Sequence, residues 1–506
     1  MAGIGFSLKK LFSKRGIGQL CRAYAYAGII CAGPMILGVI LLVGIAWIAR
    51  FGGMSGHDRE LLNCMLTYSL LISLTFTSWF NMATTRYLSD MLYEEKPDKI
   101  MPSFYGSLSI ILVFGAVVYG IFLHFSGVRF SYQVMCLWFS LVLMVVWMEM
   151  IYLTAVKDFK GIVTGFAVSL TAGFLLALIF VLIGWVTIES LMLAVIVAYG
   201  IMMTWFYKML LDYFPRGKGS KYTFLRWFDR YRSLAFTGGF LNIGLFAHLV
   251  IMYFGPLAVQ VEGLFYGAPT HDVPALCAYF SLLITTVNFV TSVEVRFYPR
   301  YRNYYSLFND KGSIKDIRQA EDEMLTVLHQ EMGAMSFKQL LCSLLFIVIG
   351  SIVLYSLPLG FTDLSMAIFR YLCIGYGLYA ISNSLMLILL YFEDYTGALL
   401  GTFGFALVSV SATIWQILHS PTSYYGLGFS LGALVFFVIV WLRLEWFTKR
   451  LAHFLLSRSA APPKSETGLF ALLCNHLDAR DQKAEEKEIE YWNRRAEKEN
   501  KRYETQ

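Results

Sequence analysis

Along most of this chain apolar residues continue for twenty or more positions before a short polar break interrupts them. A helix that crosses a hydrocarbon core needs about 20 such residues. The pattern predicts about twelve of them. In the first half they fall at roughly 24–49, 61–87, 104–126, 132–156, 162–185 and 190–213; in the second at roughly 233–256, 274–297, 338–358, 365–391, 398–419 and 426–448. The predicted fold is an all-α polytopic membrane protein, with two pseudo-repeated six-helix lobes.

The polar breaks carry the sign of two halves. Lys157-Asp158-Phe159-Lys160-Gly161, closed by Gly165, is echoed by Glu393-Asp394-Tyr395-Thr396-Gly397, closed by Gly401. Each is a tight helix-to-helix link between long apolar runs. A second echo pairs Ala83-Thr84-Thr85-Arg86-Tyr87 with Val293-Glu294-Val295-Arg296-Phe297. Asp158 and Asp394 stand 236 positions apart, Arg86 and Arg296 only 210, so 26 residues are inserted between Arg296 and Asp394. The polar stretch Phe297 to Phe337 is long enough to hold them. Internal repeats in a polytopic chain point to a transporter.

Composition agrees. The chain has 506 residues, 57% hydrophobic and 15% charged, against about 25% charged in soluble domains. Its eight cysteines lie mostly inside apolar runs without Cys-x-x-Cys spacing, which suits packing better than metal binding. The net charge of +7 is concentrated in particular segments: Lys9 to Arg22, Arg216 to Arg232, and Arg300 to Arg318. The opposite loops hold Arg50, Arg59 and Arg129 and little else, so both termini are expected in the cytoplasm of a bacterial inner-membrane protein, with the loop Val259 to Val273 outside. The expected organisation is a basic amphipathic interfacial helix (1–23), a first lobe (24–213), a linker (214–232), a second lobe (233–448) with a cytoplasmic insertion (298–337), and a charged tail (449–506). Ile314 to Met332 reads as a charged amphipathic helix. Asp478 to Arg502 reads either as a solvated helix or as a docking surface for a cytosolic partner.

No catalytic motif is present. His-Glu-x-x-His and Gly-x-Ser-x-Gly are absent, and Gly217-Lys218-Gly219-Ser220 lacks the setting of a phosphate loop. No cytoplasmic segment has room for a nucleotide-binding fold; no cofactor or metal is expected, and the chain reads as a transporter, not an enzyme. A membrane-embedded glycosyl- or acyltransferase would need a catalytic His or paired carboxylates at one interface.

Polar residues inside the spans are the functional candidates, since lipid disfavours them. Ser78, Asn81 and Thr85 share one face of the second run, and the 210-residue offset carries Ser78 and Asn81 onto Asn288 and Thr291. Matching polar faces suggest a substrate cavity; interhelical hydrogen bonding is the alternative. Arg86, Glu149, Glu294 and Arg296 are candidates for a gate or charge pair. For Arg86, Glu294 and Arg296, near span ends, snorkelling to the interface is the commoner explanation, while Glu149 reads as paired to a base or carrying a proton. His124, His248 and His419 look isolated, as packed or interfacial histidines. Asp158 and Asp394 are expected to cap the following helices.

The opening MAGIGFSLKKLF, the string Arg22 to Gly28 and Gly33-Pro34 resemble the PelG family of exopolysaccharide transporters, within the multidrug/oligosaccharidyl-lipid/polysaccharide flippase superfamily. The resemblance implies two six-helix lobes around a cavity that opens alternately to each side. It also implies export of an N-acetylhexosamine-rich polymer made by a cytosolic PelF-like glycosyltransferase. PelD-like and PelE-like membrane partners are implied too, PelD being a receptor for cyclic di-GMP. The alternatives within the superfamily are a lipid-linked oligosaccharide flippase or a drug exporter. A lipid-linked diphosphate would favour cations facing the cavity, whereas the mid-span polar groups here are mostly neutral.

Overall fold

The computed structural model describes residues 38–156, 158–217, 219–309, 312–356, 361–454 and 468–480, with Gly28 and Ile36. The basic start, much of the first apolar run and the tail beyond 480 lie outside the described residues. Among the described residues, eleven helices are long and apolar enough to span a bilayer, and a shorter one, α1 (Gly38–Phe51), is the described part of the first run. The first half continues as α2 (Gly56–Tyr93), α3 (Ile100–Phe125), α4 (Phe130–Leu153), α5 (Phe159–Ile183) and α6 (Ile188–Tyr213), followed by a short linker helix α7 (Leu225–Arg230). The second half begins with α8 (Arg232–Met252) and an antiparallel hairpin of β1 (Val259–Glu262) and β2 (Phe265–Gly267). Then come α9 (Pro269–Tyr279), α10 (Leu283–Phe289), α11 (Tyr298–Asn309), α12 (Ile314–Ser356), α13 (Asp363–Tyr391), α14 (Tyr395–His419) and α15 (Leu427–Thr448).

Polar residues at the breaks start the helices. Ser55, Asp158, Thr362 and Asp394 accept the backbone N–H of Asp58, Gly161, Ser365 and Gly397 respectively, which satisfies donors that a helix start leaves open. Thr187 and Ser190 cap each other reciprocally. The capping expected of Asp158 and Asp394 is present.

Buried side chains form two cores, one built from Leu41 to Phe228 and one from Leu245 to Leu451. These are the two lobes, and large apolar side chains such as Leu182 and Ile352 face outward from them, as lipid contact requires. Phe265 of β2 and Cys474 of the tail belong to the first core despite their sequence positions. The segment Val259 to Val273 is therefore not a free loop: Phe265 and His271 are fully buried.

Two expectations about the insertion are corrected. The 274–297 run does not end at Phe297. It passes through a 3-10 turn (Phe280–Leu282), α10 and a π-wound stretch (Val290–Phe297) and continues directly into α11. Nor is Ile314 to Met332 a separate piece: it and the 338–358 run form the single 43-residue α12, about 65 Å long at ~1.5 Å per residue. That is twice the ~30 Å hydrocarbon thickness, so the inserted residues lengthen two helices into a protruding hairpin. Met324, Leu328 and Met332 pack with the buried Tyr304 there, and Arg296 pairs with Glu331 at 2.7 Å.

The described part of the tail lies on the linker. Residues 469–480 are helical; the Ala471 N–H donates to Asp229 Oδ2 at 2.7 Å, and Ser220 Oγ donates to Asp478 Oδ1 at 2.6 Å. Phe470 meets Phe228 with ring centroids 5.6 Å apart, and Cys474 is fully buried. This stretch docks within the chain itself.

Candidate functional site: the seam between the lobes

The lobes meet along α2 and α8. Small residues on α8 let the helices close: a Cβ at Gly238 would strike the Ser78 carbonyl, and one at Gly239 would meet the Trp79 ring at 2.5 Å. Beside this contact Thr75 Oγ1 donates to Asn242 Oδ1 at 3.2 Å across the seam.

At one end of α2 the seam is tied by charge. Arg86 reaches the second lobe with one guanidinium nitrogen, donating to Glu393 Oε1 at 2.9 Å and to the Tyr395 hydroxyl at 3.1 Å. Its Nε lies 3.1 Å from Asp90 Oδ1. The other Asp90 oxygen accepts from the linker's Trp227 Nε1 at 2.8 Å, and the guanidinium carbon stands 5.2 Å from the centre of the Tyr231 ring. Glu393 adopts φ 60, a left-handed conformation rare for a residue with a side chain. The turn spends that strain where its side chain meets the other lobe. Directly behind, Asp394 receives Arg443 in a two-pronged pair at 2.6 and 2.9 Å, which fixes the junction to α15.

At the other end the tie is mainly aromatic and backbone, with His57 Nε2 of α2 3.7 Å from Glu262 Oε2 of β1. The Tyr68 hydroxyl of α2 donates to the Tyr266 carbonyl at 3.1 Å and accepts from the Tyr266 N–H at 3.2 Å, so it inserts into the strand edge of β2. Phe265 buries itself against Tyr68 and Phe122, with centroids 4.9 and 6.1 Å away. Leu264 N–H donates to the Ser126 carbonyl beyond α3 at 2.7 Å. The hairpin of the second half is thus a clasp on the first lobe.

Of the residues expected to line a cavity, Ser78, Asn81 and Thr85 lie on α2, one of the two helices of this seam. Ser78 is half-buried with its carbonyl against α8, and its hydroxyl donates to the Thr75 carbonyl at 2.7 Å. Asn81 is exposed, and Thr85 donates back to its carbonyl at 2.7 Å. Asn288 is buried on α10. Thr291 and Glu294 fall in the π-wound stretch, and their side chains lie outside the described residues. Of the candidate charge pairs, Arg86 bridges the lobes while Arg296 stays within the protruding hairpin. Glu149 is fully buried on α4, and among the described residues neither carboxyl oxygen has a hydrogen-bond partner, basic or otherwise.

Sequence reasoning missed Glu393 and Tyr395, although both belong to the repeated junction. The signal lay in the difference between the copies: Lys157 and Phe159 stand where the second copy has Glu393 and Tyr395. It also missed His271, which ends the apparent isolation of His248: the two rings approach to 3.5 Å.

A family model described as "PelG: Putative exopolysaccharide Exporter (EPS-E)" matches residues 1–455. No curated protein matches the chain. Among solved structures, a MATE transporter in the straight conformation is similar over 84% of this chain and 96% of its own, with TM-score 0.56 and 10% identity. A MOP superfamily transporter from Pyrococcus furiosus is similar over the same 84% and 96%, with TM-score 0.54 and 10% identity. The MATE transporter ClbM in complex with Rb+ covers 85% of this chain and 97% of its own, with TM-score 0.55 and 13% identity. Such identities carry the fold alone.

Proposed function

The chain belongs to the PelG family of multi-pass membrane transporters, and from that membership we propose that it moves an N-acetylhexosamine-rich exopolysaccharide across the bacterial inner membrane by alternating access between its lobes. One observation carries the mechanism: two chemically distinct closures bind the same helix, Tyr68 to the hairpin and Arg86 to the Glu393 junction. Eighteen residues separate them on α2, about 27 Å at ~1.5 Å per residue, close to the ~30 Å of a bilayer core. Opening one while the other holds would expose the seam to one side at a time. Positive charge assigns the Arg86 end to the cytoplasm, with both termini, and the hairpin to the outside.

Ser78, Asn81, Thr85, Asn288 and Thr291 supply the neutral, hydrogen-bonding wall that a polyhydroxylated chain would slide along, each contact weak enough to release. The linker, the α11–α12 hairpin and the tail together form a cytoplasmic platform for the PelF-like glycosyltransferase, beside PelD-like and PelE-like membrane partners. Deleting Lys464 to Gln506 is expected to weaken co-purification with that enzyme while the spans still insert.

The clasp supplies the test. A Cβ at Gly267 would lie 3.5 Å from the sulfur of Cys64 on α2, so Gly267→Cys with the native Cys64 can form a reversible lock. Polymer export should stop under oxidant and return with reductant; export that continues through the locked form overturns alternating access. A second reading, a lipid-linked oligosaccharide flippase or drug exporter, draws on the fold shared with MATE transporters. Altered drug susceptibility in the locked cells, with polymer export intact, would select it.

A further inference from the structure

Behind the clasp four polar groups from three helices line up in the second lobe. The Tyr376 hydroxyl of α13 lies 3.3 Å from His248 Nε2 of α8; His248 Nδ1 lies 3.5 Å from His271 Nε2 of α9; His271 Nδ1 lies 3.5 Å from Asp272 Oδ1. Both imidazoles are fully buried, while the Asp272 side chain keeps 29% exposure. The row therefore runs from a carboxylate that water reaches to a phenol inside the lobe. Phe429 of α15 covers the His248 ring at 4.6 Å between centroids.

Asp272 also belongs to the clasp. Its Oδ2 accepts the N–H of Ala268, the residue joining β2 to α9, at 3.1 Å. The titratable groups facing it come from both lobes: Tyr253 past the end of α8, and Cys64 and Tyr68 on α2, with Glu60 acting on Cys64. Elsewhere on the hairpin Glu262 stands 3.7 Å from His57 of α2, a pair that His271→Asn and Asp272→Asn leave in place and so control for. Around Tyr376 stand Tyr279 of α9 and Tyr379 and Cys373 of its own helix.

We propose that His248, His271, Asp272 and Tyr376 form a site for one proton, and that loading it strengthens the closure between the hairpin and the first lobe. The inference rests on the reading of the hairpin as a gate, and deepens it by naming what biases the gate. With both imidazoles neutral, Asp272 brings an uncompensated negative charge to a surface that closure dehydrates. A proton on His271 turns that charge into a neutral ion pair, which costs less to cover. The neighbouring imidazole cannot take a second proton at this distance, since like charges so close repel. Site loading and closure then favour each other by the same free energy. Charge and proton balance: one proton enters from the Asp272 side, and one leaves by the same row when the clasp opens.

The test is amide hydrogen exchange of residues 259–267 in the full chain in lipid nanodiscs, between pH 5.5 and 8, corrected for the intrinsic pH dependence of exchange. The wild type should be protected several-fold more at the acid end. His271→Asn should be weakly protected with no pH slope. Asp272→Asn keeps the acceptor for Ala268 and removes the charge, so it should be strongly protected at every pH. A flat wild-type profile, or variants that keep the wild-type slope, overturns the proposal. Should His271→Asn not fold, Asp272→Asn decides alone: a merely structural aspartate, whose contact with Ala268 the amide keeps, would leave the wild-type pH slope in place, and that outcome overturns the proposal. The readout involves no cargo: a flat profile with normal polymer export refutes the proton site and spares the transport reading, and a steep profile in cells that export no polymer does the reverse.

Discussion

Arg86 and Glu393 are 307 residues apart in the chain and 2.9 Å apart in space, joining the lobes at one end of the seam. The two side chains retain 30% and 41% exposure, so solvent screens the pair and its net worth is on the order of 1 kcal/mol. That is enough to shift a two-state equilibrium about fivefold. Glu393→Ala removes the cross-lobe ion pair and leaves Arg86 with Asp90 and the Tyr395 hydroxyl. Thiol labelling of an Asn81→Cys probe from the cytoplasmic side of inverted vesicles should accelerate several-fold. Unchanged labelling would show that the tie does not govern that end.

The neutral wall is tested by Asn81→Leu and Asn288→Leu. A large apolar side chain occludes the path and removes hydrogen bonds, yet makes the helix more hydrophobic and keeps it insertable. Each variant should export less polymer at normal abundance, and the double variant less than either. Normal export from both would make these groups interhelical contacts only.

Gly238 has no room for a side chain beside the Ser78 carbonyl. Gly238→Leu should therefore push α8 from α2, at a cost of about 1–3 kcal/mol for overpacking. The expected outcome is a lower melting temperature in detergent and loss of the oxidised Cys64–Gly267→Cys cross-link. An unimpaired cross-link would mean that the seam closes without this helix contact.

The tail offers a chemical reporter. Burial, then the Asp478 carboxylate, push the Cys474 thiol from 9.0 up to about 11, so at neutral pH it stays protonated and a poor nucleophile. Alkylation should be slow in the intact chain and faster in Ser220→Ala, which releases Asp478 from the linker. Equal rates would mean that the tail is not held by that contact.

The proposed orientation rests on the distribution of positive charge. Probes beside Ala2 and Gln506 should be protected from impermeant reagents in intact cells, while a cysteine at the half-exposed Val259 should react. Reversal of either result overturns the assignment of sides.

Much of the architecture was legible because lipid imposes one simple demand, a long apolar run for every crossing. The runs at 162–185, 365–391 and 398–419 correspond to α5, α13 and α14. What escaped depends on chain-distant packing. Nothing local in Ile314 to Ser356 says whether the helix stops between its charged and apolar parts, and Gly333 does not break it. A 3-10 turn followed by π winding around Asn288 leaves no hydropathy trace. The site was legible at Arg86, whose position at a span end drew notice, but not in its partners Glu393 and Tyr395, which sit in a turn that also caps a helix. His248 looked solitary because His271 lies in a segment that reads as a loop.

The docking of the tail on the linker has a consequence for how the protein is made. Asp229 waits for the N–H of a residue 242 positions further on, which at about 5–20 residues per second means roughly 10–50 s of synthesis. Throughout that interval the side of Phe228 that Phe470 will cover stands open, although Phe80 and Phe224 already pack its other sides. A nascent chain cut short after α15 would thus carry all its spans and still present unfinished business to the cell's chaperones and proteases, so quality control has a means of telling a completed transporter from a nearly completed one.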